Sequence, residues 1–112
     1  MLKIYGIKNC DTVKRSRNWL EQHGYEYSFH DFREHGLNAE LLNRLVEKIG
    51  WDNLINRRST SWRELPESDR ENLDEEKAKH LMLDHPTLIK RPVIEHDNRF
   101  AAGFSPDFFA GE

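Results

Sequence analysis

The apolar and polar positions in the first third of the chain predict a strand, a helix and a second strand. Residues 2–7 form a mostly apolar run that indicates a short strand. Apolar side chains then recur at helical spacing from about Asp11 to Gln22, and Gly24 supplies a C-terminal stop. Residues 25–32 alternate with a period of two, which is typical of a half-buried strand. The inward positions expected on the helix are Val13, Trp19 and Leu20.

The middle of the chain is predicted to be mostly helical. Asn38 can cap a helix whose leucines follow the 3.6-residue period and which Gly50 ends. Residues 51–65 are expected to form a loop or short turn. A further helix is predicted from Asp74 to about Leu83, because the acidic side chains at its start suit the positive end of a helix dipole and Pro86 stops it.

The last quarter predicts a hairpin followed by a short helix. Residues 89–95, Ile-Lys-Arg-Pro-Val-Ile-Glu, are predicted to form a short strand led by a proline, and residues 100–102 to form a second strand. The Asp-Asn pair at 97–98 between them is a turn sequence. Residues 105–107, Ser-Pro-Asp, place a proline at the first position of a final helix.

This order of elements predicts an α/β fold. A strand, a crossover helix and a strand give a parallel pair, whereas the late turn gives an antiparallel pair. The expected result is a mixed four-stranded sheet with flanking helices and a helical insertion at about 35–85. Such a sheet with such an insertion is the thioredoxin-like arrangement, here in a single domain over 1–112.

Composition narrows the class of protein. The 112 residues suffice for one domain, and 17 Lys plus Arg against 20 Asp plus Glu give a net charge of −3. A nonspecific nucleic-acid binder needs a basic excess, so direct nucleic-acid binding is not expected. No secretory signal begins the chain, and no apolar run approaches the ~18–20 residues that span a bilayer. With one cysteine no internal disulfide can form, which favours a protein of the reducing cytoplasm. Together with the lack of a long apolar run, this predicts a soluble protein without membrane association.

Cys10 is the candidate nucleophile. It lies between the first strand and the first helix, where unsatisfied N–H groups are expected to stabilise a thiolate, and Lys14, Arg15 and Arg17 on the same helix add positive potential. The alternative is a buried, inert thiol. Asp11 beside it is a candidate helix cap. Because Val13 stands three residues on, there is no C-x-x-C pair, and the resolving thiol must come from outside, with glutathione the obvious source.

Four arginines in or beside predicted loops are candidates for binding an anionic substrate or the carboxylates of glutathione at the Cys10 end. Arg91 is favoured because it directly precedes Pro92 at the start of a strand, where a proline is confined to an edge or a special turn and can be cis. The histidines lack the spacing of metal ligands, so no metal site is expected. The other three of these four candidate arginines are Arg57, Arg58 and Arg99.

Four segments that span nearly the whole chain carry a family resemblance: residues 5–14, 53–57, 86–94 and 103–107. They resemble the arsenate-reductase-related (ArsC/Spx) family and are most similar to its small bacterial members of the YffB type. The fold that it implies is thioredoxin-like with a helical insertion.

The resemblance also implies roles for individual residues. Cys10 matches the nucleophilic cysteine, Arg57 or its neighbour Arg58 matches the first oxyanion-binding arginine, and Arg91, ahead of the family's proline at Pro92, matches the second. Where arsenate reductases carry a third arginine before a proline, this chain has Ser105.

Three functions follow from the residues and the resemblance. The leading hypothesis is a glutathione-dependent thiol reductase with no bound cofactor, glutathione as co-substrate, and glutaredoxin or a protein thiol as a further partner. An arsenate reductase with an altered anion site is the second. The third is a Spx-like interaction module with Cys10 as a sensor, although Val13 removes the second cysteine of the Spx switch and makes contact with RNA polymerase less expected.

Overall fold

The computed structural model describes residues 2–110, and its first three elements form a β-α-β unit. Strand β1 spans Leu2–Gly6, helix α1 spans Asp11–Gln22 and strand β2 spans Ser28–Asp31. Helix α1 has the predicted limits, and Gly24 follows it with a φ of 76°, a left-handed conformation that glycine adopts without strain.

Strand β2 is shorter than the predicted 25–32. The Tyr25 N–H donates to the Leu20 carbonyl at 2.9 Å and is therefore committed to the end of α1. Since a backbone donor used in this way cannot join a strand ladder, pairing with β1 begins only at Ser28.

The sheet has the strand order β2-β1-β3-β4, with β3 at Val93–His96 and β4 at Arg99–Ala102. Strands β1 and β2 are parallel, whereas β1–β3 and β3–β4 are antiparallel. The predicted mixed four-stranded sheet is therefore confirmed. Asp97 and Asn98 form the tight turn between β3 and β4 with φ of 51° and 66°.

Two predictions about the C-terminal elements are wrong. Strand β3 was expected to begin at Ile89, but Ile89 pairs instead with Ile55 in an isolated antiparallel bridge. The final helix is a single 3₁₀ turn, Pro106–Phe109, and the Asp107 N–H donates to the Ser105 hydroxyl at its start. A turn of four residues gains too few backbone hydrogen bonds to continue as an α-helix by itself.

The chain divides into two compact units, one formed by residues up to Gly36 with those from Arg91 onward, the other by residues 37–90. In the second unit Asn38 caps α2 as predicted, since its Oδ1 accepts the Leu41 N–H at 2.8 Å. The predicted loop at 51–65 instead contains two single-turn helices, α3 and α4. The helices of this unit are α2 Ala39–Ile49, α3 Trp51–Leu54, α4 Thr60–Arg63, α5 Glu67–Arg70, α6 Glu75–Asp84 and a 3₁₀ turn at Pro86–Leu88.

Each unit has apolar side chains that are removed from water. Val13 and Leu20 of α1 are buried as expected, whereas Trp19 is half-buried and packs on the edge of its unit's core. No helix within residues 2–110 is long and apolar enough to cross a membrane. The core of the first unit includes Leu2, Ile4, Leu20, Ile94 and Phe109, and that of the second includes Leu42, Leu45, Val46, Leu54, Ile55, Ala78, Met82, Leu88 and Ile89.

Candidate functional site

Cys10 is the N-cap residue of α1. Its backbone is extended, with φ of −89° and ψ of 126°, and its carbonyl accepts the Lys14 N–H at 3.0 Å. Its own N–H donates to the Ile7 carbonyl at 3.1 Å, which closes a turn between β1 and α1. The helix starts one residue earlier than a cap at Asp11 would require, so the prediction that Asp11 caps α1 is wrong.

The Cys10 side chain is free to react. The thiol is half-buried, forms no disulfide, and makes no capping hydrogen bond to the helix. The first N–H groups of an α-helix have no partner within the helix, and the helix dipole adds partial positive charge at the same place. These N–H groups are fixed in place before any substrate arrives.

The register of the sheet brings Arg91 and Pro92 to the edge that carries Cys10, which is the end of the sheet where β1 leads into Cys10. Strands β1 and β3 are antiparallel with Tyr5 opposite Val93, so the end of β1 lies beside the residues that precede β3. The Arg91–Pro92 peptide bond is cis, and Pro92 is buried. Arg91 is half-buried, and among residues 2–36 and 91–110 no hydrogen bond or ion pair engages its guanidinium.

The end of β4 reaches this edge as well. The Gly103 N–H donates to the Pro92 carbonyl at 2.8 Å, which carries the backbone of residues 103–105 past the cis-proline. Ser105, at the place where the family resemblance puts an arginine in arsenate reductases, accepts the Asp107 N–H at 3.3 Å. Its hydroxyl is thus a cap for the final 3₁₀ turn and supplies no positive charge.

Asp31, at the end of β2, completes the edge and is 1% exposed. One carboxylate oxygen, Oδ1, accepts the N–H groups of Arg33 and Glu34 at 2.7 and 3.1 Å, and Oδ2 accepts the Lys8 N–H at 3.0 Å. Burial raises the pKa of Asp31, but these three N–H donors and the charge of Lys8 outweigh it and hold the pKa below its ordinary value. The carboxylate is therefore ionised and ties the end of β2 to the turn before Cys10.

A second link joins the same two loops. The Lys8 ammonium forms an ion pair with the Glu34 carboxylate. The hydrogen bond that the Lys8 ammonium donates to the Glu34 carboxylate, together with the negative charge of Glu34, raises the pKa of Lys8 above its ordinary value. Both side chains are exposed, so this pair contributes little to stability by itself.

Arg57 and Arg58 lie in the second unit and differ in how they are held. The Arg57 guanidinium is 2.7 Å from the Asp52 carboxylate and 5.9 Å from the centroids of the Trp51 and Trp62 rings. No hydrogen bond or ion pair within residues 37–90 engages the guanidinium of Arg58, whose side chain is exposed. That either arginine binds an anion at Cys10 stays a prediction.

Two other cationic residues were expected to act near Cys10 but lie elsewhere. Arg99 begins β4 opposite His96, which in turn pairs with Leu2, so Arg99 lies at the end of the sheet away from Cys10. Its expected convergence on Cys10 is therefore wrong. Arg17 lies over the Phe29 ring at 4.2 Å and donates from Nε to the Tyr27 hydroxyl at 3.0 Å, which commits it to the edge of β2.

Histidines near the site take part in loop structure. The His30 Nε2 donates to the Gly36 carbonyl at 2.8 Å, and the His35 Nδ1 accepts the Asp31 N–H at 2.9 Å. In the part of the chain that the structure describes, no group of three or more His, Cys, Asp or Glu side chains is arranged to hold a metal ion.

Sequence reasoning missed Asp31, Lys8 and Glu34. The alternating pattern of 25–32 marked Asp31 only as a polar position of a strand. An aspartate at the end of a strand, followed by two residues with free N–H groups, is an Asx-turn sequence and could have indicated the local contacts. The contact with Lys8 spans 23 positions and has no local sequence pattern.

Comparison with known proteins agrees with this geometry. The model of the ArsC family matches residues 5–110. An uncharacterized protein of Haemophilus influenzae is 45% identical over 105 residues, covering 94% of this chain and 92% of the relative. A protein of Oceanobacillus iheyensis named global transcriptional regulator Spx 2 is 32% identical over 113 residues, covering 95% of this chain and 78% of the regulator.

Solved structures show the same fold. The YFFB protein superposes with a TM-score of 0.91 at 44% identity, over 98% of this chain and 96% of that one. An arsenate reductase (ArsC) related protein of Brucella melitensis gives a TM-score of 0.81 at 48% identity, over 96% and 90% of the two chains. With its thioredoxin-like mixed sheet and a family match over nearly its whole length, the chain belongs to the ArsC family.

Proposed function

We propose that this protein is a glutathione-dependent thiol oxidoreductase in which Cys10 is the nucleophile. The observation that carries the proposal is the position of Cys10 as the N-cap residue of α1, half-buried and with its thiol unused by the helix. A structural cap would spend its side chain on the helix N–H groups, as Asn38 does in α2. A thiol left free at this position is suited to thiolate chemistry.

The simplest substrate is a mixed disulfide between a thiol compound and glutathione. The Cys10 thiolate attacks the glutathione sulfur, the original S–S bond breaks, and the departing thiolate takes a proton to leave as a free thiol. Cys10 is then joined to glutathione by a disulfide. The thiolate of a second glutathione attacks the glutathione sulfur of this disulfide, which releases oxidised glutathione and restores the Cys10 thiolate.

An external second thiol is required because the chain has a single cysteine. Glutathione, glutaredoxin or a protein thiol can fill this role, and each is abundant in a reducing compartment such as the cytoplasm. No cofactor is needed, since both electrons are supplied by the thiols.

The arginines supply the contacts to the anion. Glutathione carries two carboxylates, and Arg91 is half-buried, with no hydrogen bond or ion pair to its guanidinium in the described part of its unit, at the edge of the sheet that carries Cys10. We assign Arg91 to one carboxylate, and the family resemblance makes Arg57 or Arg58 the candidate for a further anion contact. Pro92 fixes the backbone path next to Arg91.

The test is a matched pair of assays on wild-type protein and Cys10→Ser. Incubation with oxidised glutathione should add one glutathione to the wild-type mass and none to the variant. Reduction of a glutathione mixed disulfide, coupled to glutathione reductase, should fall to the uncatalysed rate in Cys10→Ser. Full activity in Cys10→Ser would refute the proposal.

An arsenate reductase is the second candidate. It is favoured by the 48% identity to the arsenate reductase related protein of Brucella melitensis. The hydroxyl of Ser105, which caps a 3₁₀ turn, weakens this candidate because it removes one cationic contact from the expected anion site. Arsenate-dependent oxidation of NADPH in a glutathione and glutaredoxin coupled assay would establish it, and a zero rate at saturating arsenate would remove it.

A regulatory interaction module is the third candidate. It is favoured by the 32% identity to the Spx 2 regulator of Oceanobacillus iheyensis. Such a module should bind purified RNA polymerase with Cys10→Ser as tightly as with wild-type protein when both are reduced. Absence of binding at micromolar concentration would remove this third candidate.

A further inference from the structure

A buried carboxylate that the proposed reaction does not use is hydrogen-bonded to the turn that precedes the nucleophile. Asp31 is 1% exposed, and all three of its hydrogen-bond donors are backbone N–H groups. A buried charge is tolerated only where hydrogen bonds replace the lost water. Two of the donors, from Arg33 and Glu34, are local to the end of β2 and would form in many loops.

The third donor is the distant one. The Lys8 N–H comes from the turn between β1 and α1, two residues before Cys10. On the other side of Lys8, the Cys10 N–H closes the same turn on the Ile7 carbonyl, and the Phe32 N–H donates to the Gly6 carbonyl at 2.8 Å. Asp31 is therefore the side chain that fixes the middle of this turn, whereas backbone ladder contacts fix its start.

We propose that Asp31 is a positioning residue for Cys10: its carboxylate holds the Ile7–Cys10 turn so that the thiol stays at the N-terminus of α1. This rests on the proposed function, since it deepens the role of the same thiol. The ion pair of Lys8 with Glu34 joins the same loops through exposed side chains and is the weaker link.

The proposal predicts that removing the Asp31 charge makes Cys10 less reactive, whereas the charge alone would have the opposite effect. A negative charge near a thiol disfavours the thiolate, so removing it should make Cys10 more reactive. Loss of positioning takes the thiol away from the helix N-terminus and should make Cys10 less reactive. The direction of the change therefore separates the two explanations.

Asp31→Asn is the discriminating variant. The carboxylate serves Arg33 and Glu34 with Oδ1 and Lys8 with Oδ2, but an amide has a single acceptor oxygen. The amide can keep the two local contacts, and its NH₂ group then faces the Lys8 N–H, donor against donor. The substitution thus breaks the link to the turn and leaves the local loop contacts.

The measurement is the rate of alkylation of Cys10 by iodoacetamide, followed by intact mass in native buffer. We expect Asp31→Asn to react about fivefold more slowly than wild-type protein at pH 7, the factor that corresponds to losing one ordinary hydrogen bond. The pH profile of the rate should also move to higher pH. Glu34→Gln, which removes a neighbouring charge and keeps the Lys8 N–H contact, should react no more slowly than wild type.

A second measurement keeps the proposal testable if Asp31→Asn folds poorly. In the wild-type protein, the Lys8 amide should exchange with deuterium more slowly than the exposed amide of Asn9. Equal exchange of these two amides would overturn the proposal, as would unchanged or faster alkylation in a folded Asp31→Asn.

These outcomes are separate from those of the proposed function. Alkylation needs no glutathione, so slower alkylation in Asp31→Asn supports the positioning role even if wild-type protein never reduces a glutathione disulfide. Conversely, if reductase activity depends on Cys10 but Asp31→Asn leaves the alkylation rate unchanged, the proposed function stands and the positioning role of Asp31 is refuted.

Discussion

At the scale of the residue, backbone hydrogen bonds decide the surroundings of Cys10 more than side-chain charges do. The N–H and carbonyl groups of Cys10 and the Lys8 N–H are all committed, whereas Lys14 is exposed on α1 and Arg17 is held at the edge of β2. Backbone contacts of this kind are short and fixed, but exposed lysines are mobile and screened by salt. The reactivity of Cys10 is therefore expected to depend on Asp31 more than on the lysines and arginines of α1.

The two neighbouring arginines should differ in their effects. Arg58→Ala is expected to raise the KM for a glutathione disulfide about fivefold with little change in stability, because its guanidinium has no partner within residues 37–90. Arg57→Ala should instead lower the free energy of unfolding by about 0.5–1 kcal/mol, because it loses its contacts with Asp52 and two tryptophan rings. Steady-state kinetics and urea unfolding separate these effects.

Arg15→Ala is the control for both arginine variants, since Arg15 is exposed on α1 and its loss changes net charge equally. An increase in KM confined to Arg57→Ala, with Arg58→Ala silent, would reverse the assignment.

The ionisation of Asp31 makes stability depend on pH. Its pKa is lower in the folded protein than its ordinary value of 3.8, so the unfolded chain binds the proton more tightly. The stabilisation that ionised Asp31 gives the folded protein is complete at pH values above its pKa in the unfolded chain. It is lost as the pH falls through its pKa in the folded protein. Urea midpoints from pH 7 to 2.5 should show Asp31→Asn less stable at pH 7, with the difference narrowing below about pH 4. A difference that stays constant over this range would contradict the prediction.

At the scale of the element, the junction of β1 and α1 depends on a close approach at Gly6. A Cβ at this position would lie 2.8 Å from Cγ2 of Val13, which is fully buried in the first turn of α1. Glycine therefore lets β1 end directly against the helix that carries Cys10. A larger residue would have to displace Val13 from its place in the core.

Gly6→Ala is expected to destabilise the protein by about 1–3 kcal/mol, the usual range for overpacking a core. Because the clash involves the side chain of Val13, the double variant Gly6→Ala/Val13→Ala should lose less than the sum of the two single variants. Urea unfolding of all four proteins gives the coupling. Strict additivity would show that Gly6 and Val13 do not compete for the same space.

The elements also show where local sequence is informative. Helices α1 and α2 have clear apolar periods and clear end residues, and their limits agree with the prediction within one residue. The stretch 51–65 lacks a period long enough to mark helices of four residues, and so α3 and α4 were not predicted. Ile89 was predicted to begin the strand that contains Val93 and Ile94, but its partner is Ile55 in another part of the chain.

At the scale of the whole molecule, acidic and basic residues nearly balance. The net charge of −3 gives no electrostatic attraction to polyanions. We therefore expect no retardation of a duplex DNA by this protein at physiological salt. An electrophoretic mobility assay over micromolar protein tests this, with salt titration to distinguish a weak charge effect from specific binding. A shift that survives added salt would contradict the prediction.

The sequence by itself predicted the β-α-β start, the mixed sheet and the family, and it offered Cys10 as the candidate nucleophile, because apolar periods, helix end residues and motifs are local. Only the tertiary structure decided which residues share the edge with Cys10. Arg91 reaches it through the antiparallel register of β1 and β3, and Arg99 is excluded by the register of β3 and β4. The hydrogen bond from Lys8 to Asp31 joins residues 23 positions apart, and contacts over such a separation are set by strand pairing, which no local pattern specifies.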